Sequence, residues 1–259
     1  MAKIRADVLL VERGLAESRA QAQRLVMAGQ VRADGQLVDK PSSMLSGEVK
    51  LEVQTGPRFV SRGGEKLEAA LDQFAVDVAG KVCADVGAST GGFTDCLLQH
   101  GAAKVYAIDV GKGQLDWKLR QDSRVVVMEE SNARYVESLP EPVDLVTVDA
   151  SFISLKTLLP TLKGWLNEDG QLIALIKPQF EAGKKDVGKG RGVIRDEQVH
   201  RRVLEDVLNF IEGQQFAVKG LMRSPVLGPK GNVEFLVWGA RGEGSQGKRE
   251  AFIENVFFD

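Results

Sequence analysis

The feature that most constrains this chain is a glycine-rich loop between an apolar strand and a helix. Glycine and other small residues let the backbone come close to a ligand, and the first amides of the following helix are free to donate. The segment therefore predicts a nucleotide-type binding site at the end of a strand. It reads Val82-Cys83-Ala84-Asp85-Val86-Gly87-Ala88-Ser89-Thr90-Gly91-Gly92-Phe93-Thr94-Asp95.

The spacing of the loop narrows the choice of ligand. It reads G-x-x-x-G-G, and no lysine follows the last glycine, which disfavours a triphosphate. Asp109 ends the next apolar stretch, 22 positions after Gly87, about where an acid on a second strand reaches ribose hydroxyls. The pair indicates an adenosine-containing cofactor. The alternative is a tight strand-to-helix turn followed by an ordinary strand-end acid.

Short apolar runs alternate with helical stretches after Thr55-Gly56-Pro57, which predicts a parallel sheet with helices on both faces. The last two strands are joined by a segment too short for a crossover helix, so they should pair antiparallel. Seven strands ending in such a hairpin are typical of methyltransferases that use S-adenosylmethionine. We expect strands near 81–86, 104–109, 125–128, 144–149, 170–176, 215–223 and 233–239, and helices near 64–74, 92–99, 114–120, 155–166 and 196–212.

The N-terminal part predicts a separate small α+β module. A short helix precedes a second one capped by Ser18, and Asp34-Gly35 marks a hairpin before a strand over 48–53. Basic residues outnumber acidic ones by 10 to 7 in residues 1–62. We therefore expect RNA binding through Arg5, Arg19 and Arg24, the alternative being a solvated charged face. The expected organisation is a module at 1–56, a linker at 57–63 and the main domain at 64–259.

Composition limits which classes of protein this chain can belong to. With 43% hydrophobic and 27% charged residues the chain is typical of a globular protein, and no apolar stretch approaches the 18 residues of a membrane span. The start lacks the apolar core of a secretion signal, and the chain has 2 cysteines, which favours a reducing cytoplasm. With 2 histidines and no clustered thiols, we expect no metal site.

Four charged residues should meet at one edge of the sheet. Asp149 and Lys177 directly follow two predicted parallel strands, and ligands bind beyond such strand ends. Glu234 opens the last antiparallel strand, so it should face the same edge, and Lys66 begins a helix that could cover it. Taken one at a time, each of the four is better explained as an ordinary surface or strand-end ion pair.

These segments together resemble the TlyA family. The motifs that carry the resemblance are Arg62-Gly63-Gly64-Glu65-Lys66-Leu67, the glycine-rich loop, Val148-Asp149-Ala150-Ser151-Phe152 and Ile176-Lys177-Pro178-Gln179-Phe180-Glu181. The resemblance covers nearly the whole chain. It implies a Rossmann-like, FtsJ-like methyltransferase domain that follows an N-terminal RNA-binding domain of the ribosomal-protein type. It further implies transfer of a methyl group from S-adenosylmethionine to the ribose 2′-hydroxyl of cytidine in ribosomal RNA, free or in ribosomal subunits.

The resemblance also implies a catalytic tetrad of Lys66, Asp149, Lys177 and Glu234. A ribose hydroxyl is a poor nucleophile, so we hypothesise that Lys177 accepts its proton as a base. In the alternative, Lys177 stays charged, steers the hydroxyl and stabilises the developing negative charge.

The cofactor should contact the loop and the strand ends around it. Asp95 could instead support the loop, and Asn132 could be a helix cap rather than an adenine contact. The expected cofactor contacts are Asp85, Gly87, Ala88, Ser89, Thr90, Gly91, Gly92, Phe93, Asp109, Asn132 and Asp149. A basic, glycine-rich segment over 183–195 follows Lys177, and in it Lys189 and Arg191 are expected to bind RNA phosphates, unless it is a solvated connector.

Three rival functions are considered. Because the TlyA family has also been labelled haemolysin, one is a membrane-active protein, although no segment resembles an inserting helix. A second is an RNA-binding protein without catalysis. A third is a nicotinamide-dependent oxidoreductase, which the loop spacing disfavours.

Overall fold

The computed structural model describes residues 3–53, 56–183, 192–242 and 248–258. The chain divides into two compact units, Met1–Arg58 and Phe59–Asp259. Within the described ranges, no helix is long and apolar enough to cross a membrane.

The first unit has two helices and two small sheets. The expected Ser18 cap is confirmed, since its hydroxyl accepts from the Gln21 amide at 3.3 Å. The Asp34-Gly35 turn is also confirmed, with both residues at positive φ. Its elements are β1 (Lys3–Arg5), α1 (Ala6–Glu12), α2 (Arg19–Met27), β2 (Val31–Ala33), β3 (Gln36–Leu37), β4 (Met44–Ser46) and β5 (Leu51–Val53).

Strand pairing in this unit differs in part from the prediction. β1 and β4 form an antiparallel two-stranded sheet that was not predicted. β3, β2 and β5 form the second sheet, in which β5 is shorter than expected. Apolar residues from both helices and from β2 and β5 make up the core of the unit.

The second unit is built on a seven-stranded sheet, as predicted. The strands are β6 (Val82–Val86), β7 (Lys104–Ile108), β8 (Val125–Met128), β9 (Val143–Val148), β10 (Leu166–Ile176), β11 (Phe216–Arg223) and β12 (Phe235–Arg241). Their order is β11-β12-β10-β9-β6-β7-β8, and β12 pairs antiparallel with both neighbours. Because β6 is flanked by β7 on one side and β9 on the other, the chain switches direction across the sheet there, where such folds bind ligands.

Helices cover both faces of this sheet, and side chains alternate between two cores. On β6, Ala84 and Val86 pack on one face and Cys83 on the other; β9 and β10 alternate in the same way. The first core includes α6 (Leu155–Trp165), α8 (Glu197–Gly213) and α9 (Arg249–Phe258), and the second includes α3 (Gly63–Phe74), α4 (Gly92–Gln99) and α5 (Trp117–Arg120). A further short helix, α7 (Pro178–Glu181), follows β10.

Three elements differ from the expected boundaries. α5 begins later than predicted because Asp116 caps it, whereas the amides of residues 113–115 donate to Glu129. β10 begins at Leu166, directly after α6, with an irregular register before Gln171. α9 was not predicted, and it packs Ile253 and Val256 into the first core.

Candidate active site

Two glycines of the loop are required by close packing within the protein. Gly87 has φ 83°, and a Cβ there would lie 2.8 Å from the Asp149 carbonyl oxygen. A Cβ on Gly92 would lie 2.2 Å from Ser61 Oγ and 2.9 Å from the Gly64 amide nitrogen. The glycines therefore bring the ends of β6 and β9 together and let the starts of α3 and α4 touch.

Asp109 is a fixed carboxylate at the end of β7. Its Oδ2 accepts from the Ser89 amide at 2.8 Å, and its Oδ1 accepts from the Gly111 amide at 2.7 Å. Each oxygen keeps a further lone pair. The side chain is therefore oriented before any ligand arrives, as contact with ribose hydroxyls requires.

A first cavity of about 520 Å³ lies beyond the ends of β6, β7 and β9. Asn132 contributes to its wall while its side-chain oxygen also accepts from the Arg134 amide at 3.0 Å, so the residue is both a cap and a cavity residue. The expected cofactor residues that line this cavity are Gly87, Ser89, Asp109, Asn132 and Asp149.

A second cavity, of about 510 Å³, adjoins the first. The two share Gly87, Ser89, Asp149 and Ser151. The second is also lined by the expected loop residues Ala88, Thr90, Gly92 and Phe93, and by Lys66, Lys177 and Glu234. All four members of the expected tetrad thus line one cavity. The side chains of Leu115 and Leu119 cover Gly91, and a Cβ on this residue would clash with them.

The tetrad forms two ion pairs, one buried and one in which the Asp149 side chain is 22% exposed. Lys66 Nζ lies 2.6 Å from Glu234 Oε2, and Lys177 Nζ lies 2.5 Å from Asp149 Oδ1. Lys66 is 8% exposed, Lys177 6% and Glu234 1%. Desolvation offsets much of the attraction in such pairs, so they are poor devices for stability alone. Their place on a cavity wall indicates chemistry instead.

Two further residues, which were not predicted from the sequence, form hydrogen bonds with these pairs. Lys177 also donates to Ser151 Oγ at 3.1 Å and to the Asp149 carbonyl at 3.3 Å. Gln179 donates to Glu234 Oε1 at 3.5 Å. Ser151 and Gln179 each lie two positions after a tetrad residue, and that spacing was the available signal.

The structure places Asp85 differently from the expectation of cofactor contact. Its side chain is fully buried, and its Oδ2 accepts from the Thr94 hydroxyl at 2.7 Å. The Thr147 hydroxyl lies 3.4 Å from Oδ1. In the described part of the chain, Asp85 lies outside both cavity linings. It faces α4 because the alternation along β6 turns it away from the face of Ala84 and Val86, so it anchors the helix. Asp95 accepts from the Val60 amide at 2.9 Å, so it supports the segment before α3.

Phe152 is an exposed aromatic residue at the rim of the first cavity. It is 91% exposed and has φ 64°, a conformation that costs a non-glycine residue about 1–3 kcal/mol. Its ring centroid lies 5.1 Å from that of Phe180. A strained, exposed phenylalanine next to the tetrad indicates a binding role, which sequence reasoning did not identify.

The expected RNA-binding residues fall into three groups. Arg5 and Arg19 both contact Asp7 within the first unit. Arg24 is an exposed residue of α2. Lys189 and Arg191 lie outside the described residues.

Comparisons with known proteins agree with this fold. The FtsJ-like methyltransferase family matches residues 59–241, and the S4 domain matches residues 4–50. The chain is 49% identical over 240 residues to the 16S/23S rRNA (cytidine-2′-O)-methyltransferase TlyA of Mycobacterium tuberculosis, covering 91% of this chain and 89% of that protein. It is 43% identical to Hemolysin A of Brachyspira hyodysenteriae, covering 90% and 98%. A solved structure from Streptococcus thermophilus superposes with a TM-score of 0.74 at 43% identity, covering 100% and 97%.

Asp85 should give the second unit a distinctive pH dependence. Burial is the main cause that raises the pKa of Asp85 to about 7; the Thr94 hydrogen bond opposes this shift, and the nearby Asp149 adds to it. Between about pH 4 and pH 7 the folded state then binds more protons than the unfolded state, so the free energy of unfolding should fall as pH rises. Asp85→Asn should flatten this slope.

Tryptophan fluorescence during denaturation at several pH values tests the point, since all 3 tryptophans lie in this unit. Asp169→Asn, at an exposed site, serves as the control. Equal slopes in the wild type and in Asp85→Asn would contradict the assignment.

Proposed function

Because the chain belongs to the FtsJ-like methyltransferase family, we propose that it methylates the ribose 2′-hydroxyl of cytidine in ribosomal RNA. The observation that carries this proposal is the two lysine–carboxylate ion pairs on the wall of the second cavity, which adjoins the first. The name of the Mycobacterium tuberculosis relative supports the substrate. The substrate, in turn, is consistent with action in the cytoplasm on RNA or on ribosomal subunits.

S-adenosylmethionine fits the first cavity. Asp109 would hold the ribose hydroxyls, Asn132 lies where the adenine would be held, and Asp149 would stand beside the cationic sulfonium. When bound, the cofactor supplies an electrophilic methyl group. Gly87, Ser89, Asp149 and Ser151 line both cavities, so the target ribose would approach from the second.

Lys177 would position the target hydroxyl. An ammonium has three N–H donors, and Lys177 has three acceptors, namely Asp149 Oδ1, the Asp149 carbonyl and Ser151 Oγ. This arrangement supports the charged role over the base role, because a base needs a free lone pair. The hydroxyl would take the place of Ser151 Oγ as an acceptor from Lys177, and the Asp149 carboxylate, 2.5 Å from Nζ, would accept the departing proton.

Lys66 and Glu234 would shape the opposite wall. Glu234 is fully buried between Lys66 and Gln179, and a Cβ on Gly228 would lie 2.1 Å from its Oε1. This close approach keeps the carboxylate in place. The pair would therefore fix the ribose by hydrogen bonds with little rearrangement.

Two rivals remain distinguishable by experiment. The name Hemolysin A of one relative suggests a membrane-active protein, which leakage of liposomes by the purified chain, without methyl transfer, would support. The S4 match indicates RNA binding, and tetrad variants with full biological effect would support an RNA-binding role that needs no catalysis.

Replacement of Lys177 should stop methyl transfer while the fold persists. Lys177→Ala should lower kcat by about a hundredfold or more, because a preorganised donor at the reacting oxygen is lost. Transfer of radiolabel from S-adenosylmethionine to ribosomal RNA from a strain lacking the protein measures this. Lys219→Ala, at an exposed lysine of β11, is the control. Near-normal kcat in Lys177→Ala would contradict the proposal. A wild-type kcat that rises with pH, with the rise absent in Lys177→Ala, would instead support the base role.

Phe152 should stack on the target base. Stacking of a base on an aromatic side chain contributes about 1–3 kcal/mol, so Phe152→Ala should raise the KM for RNA about tenfold. Phe152→Trp should restore it, and Trp117→Ala, at another exposed aromatic residue, should leave it unchanged. Calorimetry with S-adenosylmethionine measures cofactor affinity by itself and so distinguishes a role in cofactor binding from a role in RNA binding. A lower cofactor affinity with an unchanged KM for RNA would overturn the stacking role.

A further inference from the structure

A buried carboxylate in the first unit binds two arginines. Asp7, in the first turn of α1, is 0% exposed. Arg5 donates from Nε to Asp7 Oδ1 and from Nη2 to Oδ2, both at 3.0 Å. Arg19 Nε and Gln23 Nε2 donate to the same Oδ2 at 3.0 and 2.9 Å. Arg19 and Gln23 are four residues apart on α2, so they share one face of that helix.

This arrangement leaves both guanidinium groups able to bind a further anion. A guanidinium has five N–H donors, of which Arg5 uses two on Asp7 and Arg19 one. The side chains remain 39% and 56% exposed. Because Arg5 Nη2 and Arg19 Nε both lie 3.0 Å from one oxygen, they are separated by no more than twice that distance.

The cluster is better explained by positioning than by stability. The Arg5 guanidinium, with help from Gln23 and Arg19, holds the pKa of Asp7 well below its usual range, so the carboxylate stays charged. A buried charge held by exposed arginines adds little stability over an apolar residue of the same size. It does, however, fix two flexible cations at a short separation, in the planar geometry that suits a phosphate.

We propose that Asp7 is a positioning residue that holds Arg5 and Arg19 as a pair for one backbone phosphate of ribosomal RNA. The inference rests on the proposed function, since it takes RNA as the substrate. Asp7 itself contacts no RNA; it orients the two side chains that do. Because the cluster has one negative and two positive charges, its effect on RNA depends on geometry more than on net charge.

Geometry and net charge predict opposite effects for Asp7→Asn. If charge alone mattered, loss of a carboxylate would strengthen the attraction of this unit for RNA. If Asp7 positions the arginines, its loss frees them to move, and binding weakens. The sign of the change therefore separates the two explanations.

Filter binding of the full-length protein to purified 16S and 23S rRNA, at several salt concentrations, tests the inference. Asp7→Asn should bind about tenfold more weakly, and the slope of log K against log salt should shrink by about 0.7–0.9, the contribution of one phosphate. Asp39→Asn removes an equal charge at an exposed site and should bind as well as the wild type or slightly more tightly. Adding Asp7→Asn to Arg19→Ala should have little further effect, because the pair is already broken.

A second variant keeps the inference testable if Asp7→Asn does not fold. Arg19→Lys keeps the charge, but a single ammonium cannot match the guanidinium in bonding Asp7 and a phosphate together, so it should also weaken binding. Limited proteolysis checks the fold of each variant. Wild-type or tighter binding by Asp7→Asn and Arg19→Lys would overturn the inference. Failure of the wild type itself to bind or methylate these RNAs would instead remove the proposed function.

Discussion

The active site depends on two lysine–carboxylate pairs, of which Lys66–Glu234 is buried and Lys177–Asp149 is partly buried. Each pair joins residues far apart in the chain: Lys66 meets Glu234, and Asp149 meets Lys177. Removing one partner of the buried Lys66–Glu234 pair would leave an uncompensated charge, which is strongly destabilising. Any fold that keeps these residues must therefore keep the elements that carry them in register. The chemistry of the site and the arrangement of the sheet consequently constrain each other.

The sheet satisfies this constraint through its topology. Parallel β9 and β10 end at one edge, where Asp149 and Lys177 follow them, and antiparallel β12 begins at the same edge after Glu234. α3 brings Lys66 to that edge because Gly64 and Gly92 allow its first turn to lie against α4 and Phe59. The glycine-rich loop thus has two functions. It forms the walls of both cavities, and it permits the helix contact that places one of the four charges.

Much of this architecture could be predicted because the spacing of apolar residues and the residue types at turns and helix caps are local signals. The seven strands, the final hairpin and the Ser18 cap follow from apolar periodicity and from single capping residues. Elements whose formation depends on distant partners could not be predicted. β1 is three residues long and exists only through pairing with β4. Asp85 was assigned to the cofactor because its position in the sequence adjoins the loop, but the alternation of the strand turns it towards Thr94. Phe152 carries no local pattern, and its exposure and backbone strain are visible only in three dimensions.

The central claim is that this arrangement directs a methyl group to a ribose oxygen rather than to a base. Mass spectrometry of nucleosides from ribosomal RNA, taken from a strain lacking the protein and incubated with it and S-adenosylmethionine, measures this directly. We expect 2′-O-methylcytidine to appear only when the protein is added. Methylation on a base, or no new methylated nucleoside on either free RNA or ribosomal subunits, would contradict it.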